Sequence, residues 1–234
     1  LLKLEGIRLS YLGNEIYFSR LRGELETDVG FGKVTIKAES LDEASEAMED
    51  PSVKSLTLSR VMFGHVGAKI IANSLLEDRC NVETLIIDTN NIEDAGAEHI
   101  AKALMSPKCS RISLLDIGRN NITEIGLKTI LSAVKDVSTT IETLIVTRNA
   151  FGLEGVSDIA LTLENEECNI TRLDMGWTTL GNDGAKAIAQ ALIHVNCKVS
   201  SLQLFGNSLG TVGATHIASA LATKICKVSA INLQ

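Results

Sequence analysis

Asn81-Val-Glu-Thr-Leu-Ile-Ile-Asp-Thr-Asn-Asn-Ile-Glu-Asp-Ala-Gly-Ala-Glu-His-Ile-Ala-Lys-Ala-Leu104 carries two hydrophobic periods back to back. Its first part, Val82-x-x-Leu85-x-Ile87, ends in the alternation of a strand, and Asn90 follows three residues later. Its second part, Gly96-Ala97-x-x-Ile100-Ala101-x-x-Leu104, places apolar groups at i, i+3, i+4 and i+7, one face of a helix. A strand followed at once by a helix, each with a single apolar side, cannot bury that side alone.

The same phrase recurs on both sides. The strand triplets are Val53-x-x-Leu56-x-Leu58, Val82-x-x-Leu85-x-Ile87, Ile112-x-x-Leu115-x-Ile117, Ile141-x-x-Leu144-x-Val146, Ile170-x-x-Leu173-x-Met175, Val199-x-x-Leu202-x-Leu204 and Val228-x-x-Ile231-x-Leu233. The step between them is 29 residues five times and 30 once. Asn90, Asn120, Asn149 and Asn207 form an asparagine column, broken by Val61 and Thr178, and Gly67, Gly96, Gly126, Gly155, Gly184 and Gly213 form a glycine column. Buried backbone groups in the turn need partners, and the asparagine amides are expected to supply them.

These residues, LxxLxLxxN followed by Gly-Ala-x-x-Ile-Ala-x-Ala-Leu, resemble the leucine-rich repeat family. The 29-residue length and helical second half are similar to its ribonuclease-inhibitor class. The resemblance covers Val53 to Gln234 and implies an α/β solenoid, a horseshoe with parallel strands on the concave face and helices on the convex face. Elementary geometry requires the same curvature. Strands stack roughly 4.8 Å apart, whereas packed helices need roughly 8–10 Å, so the sheet lies on the inside. Residues 53–234 then hold six full repeats and a truncated seventh strand.

Residues 1–52 fall outside the repeat and read as an N-terminal cap of hairpin, strand and helix. Ile7 to Leu12 and Glu15 to Leu21 form the hairpin across Gly13-Asn14, Lys33 to Lys37 alternates as a strand, and Ser40-x-x-Glu43 opens a helix from Leu41 to Glu49 that Pro51 stops. The stretch from Gly32 to Ser59 resembles the entry segment of Ran GTPase-activating proteins. At the other end, Gln234 closes the chain inside a seventh strand with no helix over it. That suggests a fragment of a longer chain, or pairing of the open edge with another molecule.

Composition narrows the function. The 234 residues carry 22 basic and 29 acidic side chains, a net charge of -7, which argues against nucleic acid. The apolar runs are too short for a membrane span. The cysteines Cys80, Cys109, Cys168, Cys197 and Cys226 occupy one repeat column, with Thr139 in the skipped place. They read as small buried hydrophobes rather than zinc ligands or disulfides, and place the chain in a reducing compartment, the cytoplasm or a host cytosol entered by a secreted effector. Gly30-Phe31-Gly32-Lys33 lacks the spacing and the hydroxyl residue of a phosphate loop, and no nucleophile, metal or cofactor motif stands elsewhere.

Alternation assigns the side chains of the concave face. One column reads Arg60, Thr89, Arg119, Arg148, Trp177 and Gly206, the next Ser59, Asp88, Gly118, Thr147, Gly176 and Phe205, and a central one Thr57, Ile86, Asp116, Ile145, Asp174, Gln203 and Asn232, with Arg172 in an earlier column. Trp177, the single tryptophan, stands one strand spacing from Phe205, with Arg148, Arg119 and Arg172 and with Asp174 and Asp116 around them. Aromatic residues and arginine dominate interface energetics. The expectation is a non-catalytic, cofactor-free module that binds a protein partner through these seven residues, with no small-molecule substrate. Alternatively, Trp177 folds into the turn over Thr178.

Three further readings compete. Such repeats are found as parts of bacterial effectors and innate-immune receptors. Asn149-Ala150-Phe151-Gly152 resembles a phrase of Ran GTPase-activating proteins, but Trp177-Thr178-Thr179-Leu180-Gly181 stands where that family has an asparagine-rich turn. GTP hydrolysis by Ran with and without the chain separates that reading from a pure binding module. Inhibition of a ribonuclease would call for more repeats and more acidic contacts than this chain holds.

Overall fold

The computed structural model describes residues 7–12, 15–20 and 34–234, with side chains from residue 35 onward. Strands β1 (Ile7–Leu12) and β2 (Glu15–Arg20) pair antiparallel, Ile7 opposite Arg20 and Leu12 opposite Glu15. The second strand stops one residue before Leu21, which lies with Gly13-Asn14 and the Gly30-to-Lys33 stretch outside the described residues.

The remainder alternates strand and helix. It runs β3 (Val34–Lys37), α1 (Leu41–Met48), β4 (Val53–Thr57), α2 (Gly64–Leu75), β5 (Thr84–Ile86), α3 (Glu93–Leu104), a 3₁₀ turn (Pro107–Cys109), β6 (Leu114–Asp116), α4 (Glu124–Val134), β7 (Thr143–Ile145), α5 (Gly152–Leu163), β8 (Arg172–Asp174), α6 (Gly181–Leu192), β9 (Ser201–Gln203), α7 (Thr211–Leu221) and β10 (Ala230–Asn232). Strands β3 to β10 form one open parallel sheet in sequence order. The central leucines pair along it without slippage: Leu56, Leu85, Leu115, Leu144, Leu173, Leu202 and Ile231. This is an α/β solenoid of the leucine-rich repeat kind.

The core lies between sheet and helices. Leu85, Ile87, Ile100 and Leu104 of one repeat are fully buried, as are their equivalents in the others up to Ile217, while Leu221, Ile231 and Leu233 at the C-terminal end are less covered. Each such side chain contributes roughly 1.5–3 kcal/mol. The glycine column sits where each helix packs closely on its predecessor: a Cβ on Gly126 would lie 2.4 Å from the Asp94 carboxylate. Cys109, Cys168 and Cys197 are buried and Cys80 and Cys226 half-buried, all as free thiols. Thr139 occupies the skipped place by donating its hydroxyl to the Ala133 carbonyl at 2.9 Å.

The turn after each strand is held by the asparagine column. Asn149 accepts from the Asn120 and Ile122 N–H groups at 3.0 and 3.1 Å, and donates to the Ile117 and Val146 carbonyls at 3.0 and 3.1 Å. Asn120 in turn accepts from the Asn90 N–H at 2.8 Å. Each amide thus ties two repeats, and all four are buried.

Helices start in two ways. Gly64, Glu93, Gly152 and Gly181 open α2, α3, α5 and α6 with positive φ. In contrast, α4 and α7 follow extended residues, Thr123 and Gly210, and are capped from the preceding helix. The Asp94 carboxylate accepts from the Thr123 N–H (2.8 Å), the Thr123 hydroxyl (2.7 Å) and the Gly126 N–H (3.0 Å). Asn182 does the same for the Gly210 and Gly213 N–H groups at 3.2 and 2.9 Å. In α1, Ser40 accepts from the Glu43 N–H at 3.2 Å, while the Glu43 carboxylate takes the Glu39 N–H at 2.9 Å. The helix ends at Met48, one residue earlier than the sequence suggests.

Candidate functional site: the face of the sheet

Beyond their last sheet residues β4 to β9 turn toward their helices, and the first residue of each turn to leave the extended region is left-handed. Arg60, Thr89, Arg119, Arg148, Trp177 and Gly206 have φ between 54 and 68°. For a residue with a Cβ this conformation costs roughly 1–2 kcal/mol. The sheet over-determines it. The Arg119 N–H donates to the Thr147 carbonyl at 2.8 Å, Arg148 to Gly176 at 2.9 Å and Trp177 to Phe205 at 2.9 Å. The bend aligns these side chains in a ridge along the end of the strands, a strand spacing apart.

Trp177 stands out of the ridge, 49% exposed. It does not fold into the turn. That space holds Thr178, fully buried, whose hydroxyl donates to the Met175 carbonyl at 2.7 Å. The Arg148 guanidinium lies over the Trp177 ring, 4.6 Å from its centroid, a cation–π contact. The indole also rests on Gly206, where an added Cβ would lie 2.5 Å from the ring. The Phe205 ring, half-buried, lies over Gly176 in the opposite direction, also 2.5 Å from where a Cβ would stand. Each aromatic ring therefore occupies space left by a glycine in the adjacent repeat, and the two are fixed crosswise.

The aspartates are turned inward. Asp116 accepts from the Gly118 N–H at 2.9 Å and Asp174 from the Gly176 N–H at 3.1 Å. Asp88 accepts from the Ser59 hydroxyl and from the Thr89 hydroxyl at 2.8 Å. Burial pushes the Asp116 carboxyl up to about 6, with the charges of Asp88 and Asp174 adding to the rise and the Gly118 N–H and Arg119 opposing it. Burial also raises Asp174, against its Gly176 hydrogen bond.

The arginines form no ion pair with these aspartates, although the Arg119 charge is felt at Asp116. The ion pairs among the described residues are Lys54–Glu83, Lys102–Glu98 and Lys108–Asp78. Arg60, Arg119, Arg148 and Arg172, all exposed, pair with no described carboxylate. The seven residues singled out in the sequence thus fall into three groups. Trp177, Phe205, Arg148 and Arg119 gather at the ridge, Asp116 and Asp174 end β6 and β8 beside it, and Arg172 stands at the start of β8. Sequence reasoning missed the glycines. Gly176 and Gly206 look like vacant positions in their columns, yet they set where both rings lie.

No group of three or more histidine, cysteine, aspartate or glutamate side chains among the described residues could hold a metal ion. No described helix is long and apolar enough to cross a membrane. The phrase Asn149-Ala150-Phe151-Gly152 is used by the fold: Asn149 ties repeats together, Phe151 is buried and Gly152 starts α5 with φ of 60°.

Residues 137–160, 167–189 and 195–218 match the model of the family described as Leucine Rich repeat. The chain is also similar to the NACHT, LRR and PYD domains-containing protein 9 of Bos taurus, 26% identical over 114 residues. That match takes in 49% of this chain and 11% of the bovine protein, so the chain spans about a tenth of that relative's length. The matched segments each cover one strand and most of the helix that follows it, and the strand register continues unbroken beyond them through β4 and β10. Three successive repeats of the chain thus match the leucine-rich repeat model, in keeping with the solenoid architecture described above.

Proposed function

We propose that the chain is a non-catalytic module that binds a protein partner on the concave face of its sheet, through Trp177, Phe205, Arg148 and Arg119, with Asp116, Asp174 and Arg172 at the margin. The carrying observation is Trp177 itself. A large aromatic side chain is half-exposed yet held between Arg148 and Gly206, so little conformational freedom remains to be lost on binding. The alternating geometry of the repeat makes the sheet a rigid support for exchangeable side chains.

The N-terminal segment to residue 52 serves in this reading as the cap of the stack, and the 29-residue repeats are of the ribonuclease-inhibitor class. The likeness to a protein named for NACHT, LRR and PYD domains supports a setting in which these repeats are one part of a longer, multi-domain polypeptide. The free cysteines support a reducing compartment such as the cytoplasm.

A photo-crosslinking residue placed at Thr147, in the turn just past β7, is expected to capture the partner, and one placed at Lys186, on the outer side of α6, is not. Trp177→Ala weakens binding by about 2 kcal/mol or more with an unchanged circular dichroism spectrum. Capture from position 186 alone, or loss of the fold on Trp177→Ala, would contradict the proposal.

A further inference from the structure

The concave face presents its two signs of charge differently. Its aspartates already serve the protein: Asp116 and Asp174 hold the Gly118 and Gly176 N–H groups, and Asp88 holds two hydroxyls. Its arginines are exposed and pair with no described carboxylate. The charge offered to a visitor at the ridge is therefore positive, on a chain whose net charge is -7.

We propose that the ridge Arg119–Arg148–Trp177 receives an extended, acidic protein segment, with aspartate or glutamate side chains on the two arginines and an apolar side chain against Trp177 and Phe205. The proposal rests on the docking reading above and adds the partner's chemistry.

The Arg148 guanidinium sits over the indole, 4.6 Å from the ring centroid, and is exposed. It pairs with no described carboxylate, and a planar carboxylate can take two parallel hydrogen bonds from its N–H fork. Arg119 stands one repeat away, roughly 4.8 Å at the backbone. Same-side residues of an extended segment are roughly 7 Å apart, within reach of two long side chains. Two acidic residues close to one apolar residue would thus be read together. A nucleic acid strand is less well suited, because the carboxyl groups of Asp116 and Asp174, at the ends of β6 and β8 beside the ridge, disfavour a run of phosphates.

A library of short random peptides displayed on phage and selected on the protein tests this. Selected sequences are expected to hold paired Asp or Glu beside an aromatic or aliphatic residue. Arg119→Gln and Arg148→Gln should each weaken a selected peptide at least about fivefold. So should about 1 M salt, where the screening length falls to about 3 Å. Lys186→Gln, on the helical side, should leave binding unchanged, and the unfolding midpoint of each variant checks that the fold is intact. Neutral or basic peptides that respond to Trp177→Ala but to neither arginine variant would overturn the acidic partner and leave the docking face standing. No selected peptide, or peptides indifferent to all three substitutions, would overturn both. Displacement of a selected peptide by an equal concentration of oligouridylate would assign the ridge to nucleic acid instead.

Discussion

Thr178 stands where an asparagine would tie the fifth repeat to the fourth. Its hydroxyl donates to the Met175 carbonyl at 2.7 Å and lies 3.3 Å from the Asn207 amide oxygen, but it reaches nothing in the fourth repeat, while Asn207 accepts from the Thr178 and Leu180 N–H groups at 2.8 and 3.3 Å. Thr178→Asn restores an amide able to accept from the Asn149 N–H and donate toward Val146, as its equivalents do. We expect it to raise stability by about 1 kcal/mol, read from the denaturant midpoint. Asp116 tests the electrostatics of the same face. The folded chain binds a proton there near pH 6, and the unfolded chain only near about 4. The contribution of this group to stability is therefore fully present at low pH and is lost as pH rises through 6. Asp116→Asn keeps the acceptor for Gly118 and removes the buried charge. It should exceed the wild type by about 1–2 kcal/mol at pH 7, a difference that closes by about pH 4. The leucine, asparagine and glycine columns that make these arguments possible were legible in the sequence, because each residue type does one job at one period. The left-handed bend at Arg148 and Trp177 was not. Nothing in their chemistry favours positive φ, and the conformation is imposed by hydrogen bonds to the next repeat.

At the level of elements, the caps show where local reading stops. Ser40 and Glu43 flank α1 and are recognisable by their three-residue spacing, but Asp94 caps a helix that begins 30 residues later. An acidic residue in the first turn of α3 reads as a favourable charge for its own helix, and its service to α4 emerges only once the two helices lie side by side. Asp94→Ala should cost about 1–2 kcal/mol and raise amide exchange in the first turn of α4 more than in α3. Uniform loss of protection over both helices would mean that the carboxylate supports α3 instead.

At the level of the whole molecule, stability is a sum over neighbours, so damage to one repeat divides the rest. Leu144 is fully buried, with its strand paired to one repeat on each side. Leu144→Asp places a charge there and should cost more than about 3 kcal/mol. Protection against hydrogen exchange should vanish first in β6 to β8, α4 and α5, leaving the flanking repeats to unfold separately. A single cooperative transition with an unchanged midpoint would contradict the neighbour-sum description. The same arrangement decided what could be read of the binding face. Column assignment put Trp177 and Phe205 in neighbouring columns, although both lie past the last residues of β8 and β9, where strand alternation no longer sets the side-chain direction. It did not reveal which charges were already committed, because an aspartate that bonds a backbone N–H two residues ahead looks the same in a sequence as one that awaits a partner.

The column of thiols gives the solenoid a set of internal gauges. Burial holds Cys109 up to about 12 and raises Cys80, Cys168 and Cys197 as well, so an alkylating reagent that needs the thiolate finds little to attack while a repeat is closed. Because one sulfur marks the same corner of five successive or near-successive coils, the order in which they become modified would chart how the spiral comes apart, coil by coil. Thr139 leaves the one blank mark on the scale.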